Sequence, residues 1–131
     1  MGDRMVRILM AKLGDGFDNA MLRLAMVFRE AGYEVIYTDA QEPKTIVLSA
    51  IQESVDHIGI TTLKGADIEK FAEITELLAR ENASDIGVTA GGFLAEEDMP
   101  RVKEMGVIKF FPMGTSFSEL VEWARENIKA T

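Results

Sequence analysis

Val6-Arg7-Ile8-Leu9-Met10-Ala11, then Gly14-Asp15-Gly16, then Met21, Leu24, Ala25 and Phe28 at helical spacing, form the stretch that decides the fold. A nearly continuous apolar run suits a strand buried on both faces, and apolar residues three and four apart line one side of a helix. Gly32 follows where a left-handed residue stops a helix. A strand, a short loop and a helix in that order make the unit from which parallel sheets are assembled.

The same unit recurs along the chain. Tyr33 to Thr38 reads as a second strand, and Pro43 opens a helix running to about Glu53, its missing N–H costing nothing in a first turn. Val55 to Thr61 is a third strand. It is followed by a helix over Asp67 to Arg80 that carries Ile68, Phe71, Ile74 and Leu78, with Asn82 as its left-handed stop. Asp85 to Thr89, a helix over Glu96 to Met105 with Pro100 in its first turn and Gly106 as its stop, and Val107 to Phe111 continue the alternation. Ser116 and Glu119 form a capping box for a last helix burying Leu120, Trp123, Ala124 and Ile128. Right-handed crossovers then predict an α/β, flavodoxin-like, doubly wound sheet of five parallel strands in the order 2-1-3-4-5.

Composition narrows the function. The 131 residues carry 14 basic and 22 acidic side chains, a net charge of −8, and no cysteine, which removes disulfides, thiolate metal sites and a cysteine nucleophile. A single histidine removes two-histidine metal motifs. Length and the lack of linkers predict one domain over 1–131. Without basic runs or a long apolar segment, the expected partners include no nucleic acid and no membrane, and the expected location is cytoplasmic.

In such sheets ligands sit beyond the carboxyl ends of the strands, which selects the loops Leu13 to Asp18, Thr61 to Gly65, Thr89 to Leu94 and Phe111 to Thr115. Gly14 to Asn19 could cradle a nucleotide phosphate at a helix start, with Asp39 on a ribose, although Asn19 stands where a dinucleotide fingerprint needs its third glycine. The plainer reading makes Asp15 or Asp18 a helix cap. A phosphorylation receiver of this topology would need an acceptor aspartate where Ile60-Thr61-Thr62-Leu63 ends strand three. A flavin-phosphate loop would need hydroxyls that Gly14 to Asn19 lacks.

Taken together, Arg7-Ile8-Leu9-Met10-Ala11-Lys12, Asp15-Gly16-Phe17-Asp18-Asn19-Ala20, Gly59-Ile60-Thr61-Thr62-Leu63, Ala90-Gly91-Gly92 and Pro112-Met113-Gly114-Thr115 resemble the cobalamin-binding domain of methylmalonyl-CoA mutase and its relatives. The resemblance runs from about Val6 to Ile128. It implies a cofactor site made of Asp15, Gly16, Phe17, Ala20, Thr61, Thr62, Leu63, Gly91, Gly92, Gly114 and Thr115, with no catalytic residue in this chain. In the family's DxHxxG motif the histidine ligates cobalt and the glycine admits the nucleotide tail. Here Asp15 keeps the aspartate, but Phe17 stands at the histidine and Ala20 at the glycine. Thr61 replaces the serine of the family's SxL motif, and the glycine pair survives as Gly91-Gly92.

His57 begins strand three, about 13 Å from its carboxyl end, and so is expected to be a surface or hydrogen-bonded structural residue and not a cobalt ligand. Two readings stay open. In one, the chain is a corrinoid-binding small subunit that holds cobalamin base-on, without a histidine, against a separate substrate-binding mutase subunit; a Gly92→Trp change should then abolish uptake without unfolding. In the other, Phe17, Ala20 and Thr61 mark a degenerate relative that has lost the cofactor and acts as an interaction or regulatory domain, through a partner or as a homo-oligomer.

Overall fold

A computed structural model describes residues 4–16 and 19–130. Its elements are β1 (Arg7–Leu13), α1 (Asn19–Glu30), β2 (Glu34–Tyr37), α2 (Pro43–Gln52), β3 (His57–Thr62), α3 (Glu69–Arg80), β4 (Gly87–Gly92), α4 (Met99–Glu104), β5 (Lys109–Pro112) and α5 (Phe117–Asn127). All five strands are parallel, in the order β2-β1-β3-β4-β5.

The alternation of side chains along each strand divides the core in two. Leu9, Ala11 and Leu13 of β1 and Ile58 and Ile60 of β3 face α2, α3 and α4, where they pack with Ile46, Phe71, Ile74, Leu78 and Val102. Ile8 and Met10 face the opposite way, onto Ala25 and Phe28 of α1 and Val121 and Ala124 of α5. The first face is the tighter: Leu9, Leu13, Ile46, Ile58, Phe71 and Ile74 are wholly buried.

Several boundaries move from the sequence expectation. β4 runs on to Gly92 instead of ending at Thr89, because Gly91 and Gly92 pair with Phe111 and Pro112 of β5. The helix expected over Glu96 to Met105 splits. Glu96–Asp98 is a single 3-10 turn, and α4 restarts at Met99 with Pro100 in its first turn, where no N–H is required. Asn82 has φ 56° and Gly32 φ 101°, the left-handed stops the sequence called for. The Ser116 hydroxyl accepts the Glu119 N–H at 3.2 Å, as a cap should. One contact had no sequence signal: buried Asp56, just before β3, accepts from the Arg4 guanidinium and from the Arg7 N–H at 2.9 Å, which ties the segment before β1 to the sheet.

Candidate functional site

On the α1/α5 face the middle strands carry unusually little. The register sets Thr61 beside Gly91, Gly59 beside Thr89 and His57 beside Gly87. These residues share one face, opposite Ile58, Ile60, Val88 and Ala90. Strands buried on both faces normally bear apolar side chains on each, so this run of glycine and small polar residues leaves the sheet bare. Beneath α1 and α5 it forms the floor of a slot of about 230 Å³. Met10 of β1, Leu24 and Phe28 of α1, and Leu120 and Trp123 of α5 supply apolar walls. Trp123 stands edge-on to Phe111, with ring centroids 5.5 Å apart.

The slot opens at the carboxyl edge of the sheet, where exposed Met113 and Gly114 flank Thr115 and Gly92. It closes at the amino end on His57, which is 4% exposed. There the His57 Nε2 and the Thr89 hydroxyl share a hydrogen bond of 2.8 Å. Burial pushes the imidazole down to about 4, so it is neutral at pH 7. The histidine is therefore structural and hydrogen-bonded, as expected; its place at the inner end of the slot was not expected.

Hydrogen bonds between loops hold the mouth. Asp15 N–H donates to the Lys64 carbonyl at 2.8 Å, and Leu63 N–H to the Leu13 carbonyl at 2.8 Å. Gln41, after β2, grips Gly14 from both sides, accepting its N–H at 2.8 Å and donating to its carbonyl at 2.9 Å. Gly14 (φ 109°) must be glycine here: a Cβ would lie 2.7 Å from the Leu63 carbonyl oxygen.

Of the residues singled out from sequence, Ala20, Thr61, Gly91, Gly92, Gly114 and Thr115 line the slot. Asp15 and Gly16 are exposed on its rim side and do not line it. Thr62 faces the other way, its buried hydroxyl donating to the carbonyls of Phe93 at 2.5 Å and Gly91 at 3.2 Å, and Leu63 is buried outside the slot. Phe17 lies outside the described residues, as does Asp18.

Gly92 has φ 119°, and a Cβ there would fall 2.4 Å from the Thr62 carbonyl oxygen. Gly92→Trp is therefore a folding lesion and does not isolate ligand uptake as the sequence reading supposed. Gly59 was missed by sequence reasoning, as were Met10, Leu24, Phe28 and Trp123, while Thr89 entered only as the start of a carboxyl-edge loop. The available signal was the alternation His57-Gly59-Thr61 and Gly87-Thr89-Gly91, glycine where a doubly buried strand should carry bulk.

A doubly wound parallel sheet with an apolar slot running from its carboxyl edge between one face and two helices defines an α/β module with a cavity where such sheets bind ligands. The chain belongs to the B12 binding domain family, whose pattern matches residues 6–121. It is 34% identical over 127 residues to the 2-hydroxyisobutanoyl-CoA mutase small subunit of Aquincola tertiaricarbonis, covering 95% of this chain and 93% of that protein. It is 35% identical to the pivalyl-CoA mutase small subunit of Xanthobacter autotrophicus, covering 92% of this chain and 82% of that one. A cobalamin-binding protein from Desulfitobacterium hafniense shares the fold, with a TM-score of 0.74 at 21% identity, over 92% of this chain and 58% of that one. Among the described residues no helix is long and apolar enough to cross a membrane.

Proposed function

We propose that this chain is the cobalamin-binding small subunit of an adenosylcobalamin-dependent acyl-CoA mutase, one module over 1–131 that works in the cytoplasm with a separate substrate-binding subunit. The observation that carries the reading is the slot. An apolar cavity of about 150 Å³ accepts benzene, so about 230 Å³ suits the bicyclic base at the end of a corrinoid's tail. Bare Gly59 leaves the floor flat, and a Cβ there would meet nothing nearer than an Ile8 methyl at 4.0 Å.

The residues present fit the tail. Gly59 and Gly91 would lie under the base, Leu24, Phe28 and Trp123 over it, and the Thr61 and Thr115 side chains would meet the polar linker at the mouth. When bound, adenosylcobalamin supplies radical carbon-skeleton chemistry. This chain's part is to bind and orient the cofactor and keep water from its tail, while the acyl-CoA site belongs to the partner.

The family's ligating histidine is replaced by Phe17, and His57 sits at the closed end of the slot, so this chain offers cobalt no imidazole at the mouth. A base-on corrinoid would fold its own base against cobalt and leave the slot empty. The size and apolarity of the slot favour the tail inserted and the cobalt base-off.

The test is to incubate the protein with hydroxocobalamin or adenosylcobalamin, desalt it and record the visible spectrum. Retained colour with a base-off spectrum is expected, and Gly59→Leu, which fills the floor without touching the backbone, should release the corrinoid while the fold is kept. No retained colour by the wild type would overturn the reading in favour of a relative that has lost its cofactor.

A further inference from the structure

The slot has an oxidisable group at its open end. Of the eight methionines in the chain, Met10, Met21 and Met113 line the slot. Met10 and Met21 are 7% and 6% exposed, whereas Met113 is 62% exposed. Met5 and Met26 are exposed but lie off the slot, as do the partly buried Met99 and Met105. Among the described residues, Met113 alone combines an open thioether with a place on the slot. The fold puts it there: β5 ends at Pro112, and the chain turns through Gly114 (φ 93°) toward α5 at the carboxyl edge.

Oxidation of methionine follows exposure, and it converts a flexible apolar side chain into a polar one. The thioether sulfur attacks the outer oxygen of a hydroperoxide, so that an S–O bond forms and the O–O bond breaks. The proton on that oxygen passes to the departing oxygen, which leaves as an alcohol or, from hydrogen peroxide, as water. Sulfur gives up two electrons and the peroxide accepts them. The resulting sulfoxide oxygen needs water or a donor. Pro112, Gly114 and Phe117 offer no side-chain donor, and the Thr115 hydroxyl already donates to the Pro112 carbonyl at 2.6 Å. The slot is sized for the tail base, so a corrin ring stays outside, over the mouth. Its flat face would strip water from the sulfoxide and return no donor.

We propose that Met113 is a reversible oxidation site controlling corrinoid uptake by this chain. The thioether form takes the corrinoid, and the sulfoxide formed by a hydroperoxide holds it about tenfold more weakly. A methionine sulfoxide reductase restores the thioether, oxidising two thiols to a disulfide and releasing the oxygen as water. The inference rests on the corrinoid reading above and adds a regulation of that same site. The coupling is reciprocal, so a bound corrinoid shields Met113 from the oxidant. The empty chain is the sensitive form and the loaded chain the protected one.

The experiment treats the empty protein with hydrogen peroxide for increasing times, quenches with free methionine, locates sulfoxides by peptide mass spectrometry and measures the dissociation constant for hydroxocobalamin. Met113 should oxidise along with Met5 and Met26 and well before Met10 and Met21. Affinity should fall about tenfold in step with Met113, with an unchanged melting temperature, and return after reductase treatment. Met113→Leu, whatever its own starting affinity, should lose none of it on the same treatment. Full oxidation of Met113 without loss of affinity, or an equal loss in Met113→Leu, overturns the proposal while the corrinoid reading stands. Failure of the untreated wild type to bind hydroxocobalamin overturns the corrinoid reading itself.

A second readout needs no variant. With hydroxocobalamin bound, peroxide should oxidise Met5 and Met26 as before and Met113 more slowly. Unslowed oxidation of Met113 in the loaded protein overturns its place under the ligand.

Discussion

Burial of His57 makes the stability of this protein depend on pH between about 6.5 and 4. The imidazole titrates at about 4 in the folded chain against an ordinary 6.5, because desolvation penalises its charged form. The unfolded chain therefore binds a proton that the folded chain refuses. Stability is full above 6.5, falls as pH drops through 6.5, and levels off near 4. At 1.36 kcal/mol per pKa unit, pH 5 lies far enough below 6.5 to cost about 2 kcal/mol, and pH 4 about 3 kcal/mol. Against a domain stability of about 5–15 kcal/mol this is readily measured. Urea unfolding of wild type and His57→Phe at pH 7 and pH 5, followed by Trp123 fluorescence, isolates the effect. His57→Phe is expected to be less stable at pH 7, having lost the Thr89 hydrogen bond, but to lose about 2 kcal/mol less than wild type on going to pH 5. Equal losses in the two proteins would refute the claim that His57 is buried in its neutral form.

Other outcomes follow from the same coordinates. Gly92→Ala should destabilise the fold by about 1–3 kcal/mol, since φ 119° and the Thr62 carbonyl oppose any Cβ; a melting temperature equal to wild type would contradict it. Phe71→Ala, emptying a wholly buried site under α3, should cost about 3–5 kcal/mol by urea denaturation. Removing the cap with Ser116→Ala should cost about 1 kcal/mol, read in the same way, with no change in corrinoid retention. Phe17→His combined with Ala20→Gly supplies the histidine and the glycine that the family resemblance calls for at these positions, and should give a retained corrinoid a histidine-ligated spectrum; an unchanged spectrum would show that a histidine at position 17 does not reach the cobalt.

The fold was legible in the linear chain because it rests on local, periodic signals, and the family because the short motifs at the strand ends resemble those of the B12 binding domain. The apolar run of β1, the helical spacing of Met21, Ala25 and Phe28, the stops at Gly32 and Asn82 and the cap at Ser116 each act within a few residues. The five-stranded order follows from chaining right-handed crossovers. The carboxyl-edge loops were legible for the same reason, and with them Thr61, Gly91 and Thr115 as slot residues. What needed tertiary structure was every feature set by strand register and by contacts across the chain. Thr61 and Thr62 are neighbours with equal side chains, and only the pleat sends one into the slot and the other into hydrogen bonds with Gly91 and Phe93. Gly59 looks like any strand glycine until β4 sets Thr89 beside it and α1 and α5 cover it. His57, 32 residues from Thr89 in sequence, becomes the end of a ligand slot only because a shared register brings the two together, and only the burial that follows makes its imidazole neutral.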